Sequence, residues 1–196
     1  MEGRSARSAN ELEWSNKFVA PGGVVITPLV ALRGDIYRYD TNSVAGLRAK
    51  RSGVLGMATA GLEVRYPLLI QNDNDSHIIE PIAQIFARPN EMRAGVLPNN
   101  DAQSLVFDTS NLFERDKFSG FDRLEGGTRA NYGARYTGVL DNGFTVGGVI
   151  GQSVQIAGRN SFAIGDIANT GLESGLESRC SDIVASGRLA YQGMVG

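Results

Sequence analysis

The chain has 196 residues, enough for one domain or part of a larger one, and its net charge of −2 gives no basic patch for a nucleic-acid partner. Its 25 glycines against 6 prolines are typical of a β protein with many turns and disfavour a helical bundle. No apolar run of about 18 residues is present, which excludes a membrane-spanning helix.

Apolar and polar side chains alternate with a period of two along most of the chain, which predicts β-strands. In the first such segment, Leu12 and Trp14 fall on one face and Glu11 and Glu13 on the other. The segments are, in chain order, 11–20, 24–39, 54–66, 77–88, 126–140, 144–155 and about 182–191. Several are long for a soluble strand and suit a tilted strand that crosses a membrane.

The joins between the predicted strands alternate in length. Short or medium joins at 21–23, 67–76 and 141–143 take turns with long ones at about 41–53, 90–125 and 156–181. All the long loops of a meander then lie at one end of its sheet, as in outer-membrane barrels with short periplasmic turns and long extracellular loops. We therefore predict an all-β chain: an antiparallel meander of about seven long strands, part of a large transmembrane β-barrel. Residues 1–10 are expected to be a disordered or loop lead-in, and 11–196 the partial barrel domain.

One segment carries a resemblance to a known family. Residues 112–123 read LFERDKFSGFDR, and Glu125-Gly126-Gly127-Thr128-Arg129 follows them. With Ile79-Glu80-Pro81, and with Glu11-Leu12-Glu13-Trp14 ahead of Pro21-Gly22-Gly23, this segment resembles the central barrel region of the LPS-assembly outer-membrane protein family, also called the organic solvent tolerance protein, in an alphaproteobacterial type. The match covers most of 9–155 and is specific over 105–132.

The resemblance implies a place in the cell outer membrane and a non-enzymatic function, without cofactor. In that family, lipopolysaccharide passes through a barrel lumen and leaves by a lateral seam. The implied partners are lipopolysaccharide, outer-membrane lipid, a plug lipoprotein and periplasmic bridge components, with no nucleic acid. The N-terminal residues show no secretory signal, and seven strands are too few for the family's barrel, so we expect a piece of a longer protein. A generic porin or receptor-type barrel and, less favoured, a soluble β-sandwich binding module are the alternatives.

Two groups of residues are candidates for the functional site. If the faces are assigned correctly, one group of polar side chains points into the lumen, although such residues can also merely satisfy one another across strands. These are Arg33, Glu63, Arg65, Glu80, Arg129, Asn131 and Arg135. The second group is the family-like loop motif of Phe113, Arg115, Asp116, Ser119, Gly120, Asp122 and Arg123. We expect this loop to be ordered over or in the barrel by salt bridges. The alternatives are a solvated loop, and contact of Arg115 and Arg123 with lipopolysaccharide phosphates.

The remaining reactive residue types predict no catalytic or metal site. His77 is the only histidine and is expected to be structural or solvated. Residues 72–75 are a run of Asn and Asp that is typical of a turn rather than of a calcium-binding loop. Cys180 is the only cysteine and is expected to be an incidental loop thiol, the alternative being a disulfide with a further part of the protein. Pro28 and Pro81 each remove a donor from a strand ladder, at positions that the sequence alone does not relate to the seam.

Overall fold

The computed structural model describes residues 4–40, 52–91, 99, 101–102, 104–165 and 169–191. Nine antiparallel strands form one sheet in this part of the chain. They are β1 (Arg4–Ser15), β2 (Phe18–Val19), β3 (Val25–Asp40), β4 (Ser52–Arg65), β5 (Leu68–Gln71), β6 (Ser76–Ala87), β7 (Thr128–Val139), β8 (Phe144–Ala157) and β9 (Val184–Tyr191). One 3-10 turn, Ser161–Ala163, lies in the connection after β8. The described residues contain no helix that is long and apolar enough to cross a membrane.

The seven long strands follow one another across the sheet in the order β1-β3-β4-β6-β7-β8-β9. Each pairs with the next along the chain, so the predicted all-β antiparallel meander is confirmed. The sheet is not closed, because β1 and β9 are its two edges in the described part of the chain.

The two short strands come from breaks in pairing that lie opposite prolines. β1 pairs with β3 up to Leu29, and β2 resumes the pairing at Ile26, so the break lies opposite Pro28. β4 pairs with β6 up to Ile82, and β5 resumes at Ile79, so the break lies opposite Pro81. Each proline lacks the N–H that the ladder needs, while its carbonyl still accepts from Asn16 (3.3 Å) or Tyr66 (3.1 Å).

The first strand begins earlier than its sequence predicts. Residues 4–10 were expected to be part of a lead-in, but they pair with Gly34–Asp40 as the first half of β1. Their sequence, RSARSAN, has no run of large apolar residues, so alternation gives no signal there. The 16-residue β3 supplies the pairing partner instead. Residues 1–3 of the expected lead-in lie outside the described residues.

The connections are sorted by length between the two ends of the sheet. The joins 16–24, 66–75 and 140–143 lie at one end, which we call the short-turn end. The joins 88–127 and 158–183 lie at the other, and we call them the covering loop and the second loop. The expected long loop at 41–53 falls almost entirely outside the described residues.

The two faces of the sheet differ in polarity, and their exposure is the reverse of that in a water-soluble protein. The outer face exposes large apolar side chains, including Leu12, Trp14, Val30, Leu32, Ile36, Val54, Leu62, Ile85, Tyr132, Ile150 and Leu189. The opposite face, which we call the polar face, buries charged and amide side chains, including Arg33, Asp35, Gln84, Arg129, Asn131 and Gln155.

The main hydrophobic cluster lies between the loops and the polar face rather than between two layers of strands. It consists of Ala102, Phe107, Leu112, Phe118, Phe162 and Leu176, with Val149 of β8 and Val184 of β9 packed against it. Gly151 of β8 lies directly opposite Gly133 of β7 and brings Leu112 close to the sheet. A Cβ at Gly151 would lie 2.6 Å from Leu112 Cδ2 and 2.5 Å from the Tyr132 carbonyl oxygen.

Replacing Gly151 with valine should therefore lift the covering loop from the sheet. We expect a loss of about 1–3 kcal/mol from overpacking and faster trypsin cleavage after Lys117, which is buried in the native chain. The control is Gly148→Val, because a Cβ at Gly148 meets nothing nearer than the Ser186 carbonyl at 3.5 Å. Equal cleavage rates for the two variants would contradict this role of Gly151.

Candidate functional site

All seven candidate polar residues of the strands lie on the polar face. The registers place Glu63 opposite Gln84 and Gln84 opposite Asn131, so that one row of side chains crosses three strands, and they place Glu80 opposite Arg135. Arg33, Arg129 and Asn131 are buried, toward the long-loop end. Glu63, Arg65 and Glu80 are half-buried, and Arg135 has 45% of its side chain exposed. The long loops thus cover one part of the polar face and leave the part near the short turns open.

The covering loop places its charged motif residues against this face. Asp122 and Arg123 are buried, and Arg115, Asp116 and Phe113 are half-buried. Ser119 and Gly120 are exposed at a turn of the loop. The polar groups that would be solvated in a free loop are therefore in contact with the sheet and with the second loop.

Arg123 forms the most enclosed ion pair of the loop. Its Nε and Nη2 donate to the two carboxylate oxygens of Glu91 at 2.8 and 3.0 Å, and both side chains are almost completely buried. Nη2 also donates to the Ser161 carbonyl at 2.8 Å, and the guanidinium lies 4.5 Å from the centre of the Phe118 ring. The pair ties the start and the end of the covering loop to the second loop.

Glu125 forms a second buried cluster at the end of the covering loop. Its carboxylate lies 2.7 Å from Arg129 Nε and 3.6 Å from Arg88 Nη1. Arg129 also donates to Asn160 at 2.9 Å and to Ser153 at 3.3 Å, while Arg88 donates to the Arg115 carbonyl. This cluster joins the end of β6, the start of β7 and both loops.

A third set of ion pairs connects the covering loop to β1. Arg7 pairs with Asp122 and lies 3.6 Å from Asp101. Arg115 pairs with Glu11 and lies 3.0 Å from Glu13. Since β1 is an edge strand, the loop braces the side of the sheet that has one strand partner fewer.

Arg33 connects β3 to the same loop from below. Its Nε and Nη2 donate to Asp35 at 2.9 and 3.1 Å, and Nη2 donates to the Phe121 carbonyl at 3.0 Å. Its guanidinium also lies 5.1 Å from the centre of the Phe121 ring.

Gly120 allows the loop to turn over Asp101. Its φ of +76° favours glycine, and a Cβ there would lie 2.5 Å from the Asp101 carboxyl carbon. The Asp101 carboxylate accepts from the amides of Phe121 at 2.7 Å and Asp122 at 2.8 Å. Burial opposes ionisation of Asp101, but these amides and Arg7 outweigh burial and hold its pKa below the ordinary value.

Hydrogen bonds of the Asn131 and Gln84 amides continue this contact across the middle of the sheet. Asn131 donates to Gln84 at 3.0 Å and accepts from Ser153 at 2.7 Å. Lys117 of the loop donates to the same Asn131 oxygen at 3.1 Å, and burial lowers its pKa. Gln84 in turn donates to Glu63 at 2.6 Å and to the Phe113 carbonyl at 3.0 Å.

Asp116 is the loop carboxyl whose ionisation is most disfavoured. Burial, followed by the charge of nearby Glu125, raises its pKa from 3.8 to about 6. Its oxygens accept from the amides of Phe118 at 3.0 Å and of Glu125 at 3.2 and 3.3 Å. A cavity of about 20 Å³ adjoins it, bounded by Glu11, Arg33, Arg88 and the neighbouring loop residues.

Sequence reasoning missed most of the partners of the motif residues. Arg7, Arg88, Glu91, Asp101 and Glu125 were not singled out as site residues, although each pairs with a residue that was, or with another of the five. Arg7 shares the parity of Glu11 and Glu13 on β1, but this shows only once residues 4–10 are seen to pair with β3. No sequence signal existed for Glu91, which lies 32 residues from Arg123 in an aperiodic segment.

The other reactive residues take structural positions. His77 Nδ1 lies 2.9 Å from the Tyr136 hydroxyl, and the two rings stack. Asn74 and Asp75 both bond to Asp141 and so join two of the short turns. Cys180 is exposed with a free thiol. No group of three or more His, Cys, Asp or Glu side chains within the described ranges could hold a metal ion.

Removing one partner of the Arg123–Glu91 pair should destabilise the covering loop strongly. We expect Arg123→Met or Glu91→Gln to cost about 3–5 kcal/mol, because each leaves a buried charge without its partner. The combination Arg123→Met with Glu91→Leu should cost much less than the sum of the single changes. Denaturation of the detergent-solubilised chain measures these losses, and additive single effects would contradict the pairing.

The stability of the loop should depend on pH through Asp116. Because its pKa is raised from 3.8 to about 6, the folded chain holds a proton that the unfolded chain has lost in this window. Stability should therefore fall as pH rises from about 4 to 6, by on the order of 3 kcal/mol, and level off above. Asp116→Asn, which stays neutral, should flatten this part of the profile. The thermal midpoint followed by a fluorophore on the exposed Cys180 measures it, and an unchanged profile in the variant would exclude Asp116 as the cause.

The comparison with known proteins agrees with this architecture. A family model described as LptD, LPS transport system D, matches residues 2–194. A search of the curated proteins finds no match. The family match covers nearly the whole chain and confirms the resemblance found in residues 112–129. The chain therefore belongs to the LptD family, and with it to lipopolysaccharide transport and assembly at the outer membrane.

Proposed function

We propose that the chain forms part of the wall of a lipopolysaccharide-conducting barrel, with its outer face in lipid and its polar face lining the lumen. One observation carries this proposal: apolar strand residues are exposed while charged residues of the same strands are buried. Leu12 on the outer face is 74% exposed and Val54 73%, whereas Arg129 and Asn131 on the polar face are each 1% exposed. In water such a face would be a large apolar patch, and in a bilayer it is the lipid-facing band of the barrel.

The covering loop fills the part of the lumen near the long-loop end. By the arrangement of outer-membrane barrels, the long loops are extracellular and the short turns periplasmic. A substrate from the periplasm then meets the open part of the polar face first and the loop afterwards. A freely diffusive pore is a weaker reading, because the loop is held there by buried ion pairs.

Arg115 and Arg123 serve this arrangement as structural cations. Arg123 is engaged by Glu91, Ser161 and Phe118, and Arg115 by Glu11 and Glu13. Because these acids already neutralise both guanidinium groups, neither arginine binds the phosphates of the substrate in this arrangement.

The edges of the sheet call for further strands. β1 and β9 each pair on one side in the described chain, and unpaired strand edges are not tolerated in a bilayer. We propose that further strands complete the barrel, and that the plug lipoprotein, the periplasmic bridge and the lateral seam belong to that complete assembly.

Two neighbouring isoleucines of β6 offer a matched test of the face assignment. Ile78 lies on the polar face and Ile79 on the outer face, near the short-turn end, with 41% and 38% of each exposed. A photoreactive phenylalanine analogue at Ile78 should crosslink to lipopolysaccharide in growing cells, and the same analogue at Ile79 to phospholipid. Crosslinking of both positions to phospholipid alone would overturn the proposed lumen.

A further inference from the structure

A groove of about 250 Å³ lies on the polar face between the short-turn end and the border of the covering loop, whose Thr109 donates to Ser186 in the lining at 2.8 Å. Strands β7, β8 and β9 form it. Its lining includes Arg135, Thr137, Gly147, Ser186 and Arg188. Two of these residues are arginines, and no carboxylate is among the lining residues.

Around the groove, the arginines outnumber the carboxylates by one. Glu80 is the acid nearest to Arg135, at 3.5 Å, and it is shared with Arg65 at 3.7 Å, which also pairs with Glu63. Arg188 is exposed and forms no ion pair in the part of the chain that the structure describes. Three arginines therefore stand against two carboxylates on this part of the face.

Gly147 determines where the Arg188 side chain lies. The two residues are directly opposite each other in the β8–β9 register. A Cβ at Gly147 would lie 2.9 Å from Arg188 Cγ and 2.7 Å from its Nε, so the arginine lies flat over the glycine. A larger residue at 147 would displace the guanidinium from the groove and occupy its floor.

We propose that Arg135 and Arg188 form a binding site for a phosphate-bearing sugar head group, which rests on the proposed function of the polar face as a lumen. Planar guanidinium groups bind phosphate oxygens in pairs, and the hydroxyls of Thr137 and Ser186 add donors of the kind that phosphates accept. The groove lies on the path from the short turns to the covering loop. It is thus the first arginine pair that a substrate entering from that end meets.

The test compares two glycine variants of the full chain in an uncharged detergent. Gly147→Leu fills the groove. Gly148 also lines the groove, but only with its backbone, and Gly148→Leu places the same side chain on the outer face, where a Cβ has room. We expect Gly147→Leu, and equally Arg188→Gln, to weaken lipopolysaccharide binding about tenfold, the loss of one charge-assisted contact. Gly148→Leu and Arg159→Gln, a change of an exposed arginine of the second loop, should bind as the unaltered chain does.

Three further ligands identify the chemistry. Enzymatically dephosphorylated lipopolysaccharide should bind as weakly to the unaltered chain as intact lipopolysaccharide does to Arg188→Gln. Inorganic phosphate at millimolar concentration should compete with binding. Phosphatidylglycerol micelles should bind more weakly than lipopolysaccharide, and equal binding would overturn the assignment to a sugar phosphate.

The outcomes separate the site from the proposed function. Equal binding of lipopolysaccharide by the two leucine variants, with circular dichroism showing that both are folded, would overturn the site and leave the lumen standing. Failure of the unaltered chain to bind lipopolysaccharide, together with absence of a crosslink from Ile78, would overturn both.

Discussion

The structure depends on the neutralisation of charge between the covering loop and the polar face. Moving a charge out of water costs several kcal/mol, and only a well-placed partner returns that energy. Arg123 has Glu91 and Glu125 has Arg88, each partner coming from a distant part of the sequence, and Arg129 is a second, local partner of Glu125. The apolar cluster around Leu112 and Phe118 can be buried only because these pairs allow the loop to lie on a face rich in arginine and amide side chains.

This constraint also explains how far the sequence predicts the fold. Period-two alternation identifies all seven long strands and the face of Arg33, Glu63 and Arg135, because a strand's geometry is local. It does not identify residues 4–10, whose strand is formed by pairing with β3. Ile82 and Phe86 disturb the pattern of β6 because they face the polar side and are nevertheless buried there. The loop motif is visible as a family resemblance, but its partners are not, since aperiodic contacts over 30 residues or more leave no local signal.

The polar face is divided into a part that the long loops cover and a part that is exposed near the short turns. Toward the long-loop end, Arg129 and Asn131 are consumed by contacts with the loops, and they hold the covering loop in one place. Toward the short-turn end, the side chains of Arg135 and Arg188 are exposed. In the proposed barrel the arginines of one face therefore have two roles. The buried ones hold the covering loop, and the exposed ones face the substrate.

Pro28 and Pro81 have a consequence for how firmly neighbouring strands are held together. Each proline still faces the opposite strand, and its carbonyl accepts from Asn16 or Tyr66. Because it has no N–H to donate in return, the ladder is one hydrogen bond short at that point, and the strand assignment breaks between β1 and β2 or between β4 and β5. Both points lie near the short-turn end of the sheet. Neighbouring strands should therefore separate more readily at this end than at the end that the long loops cover.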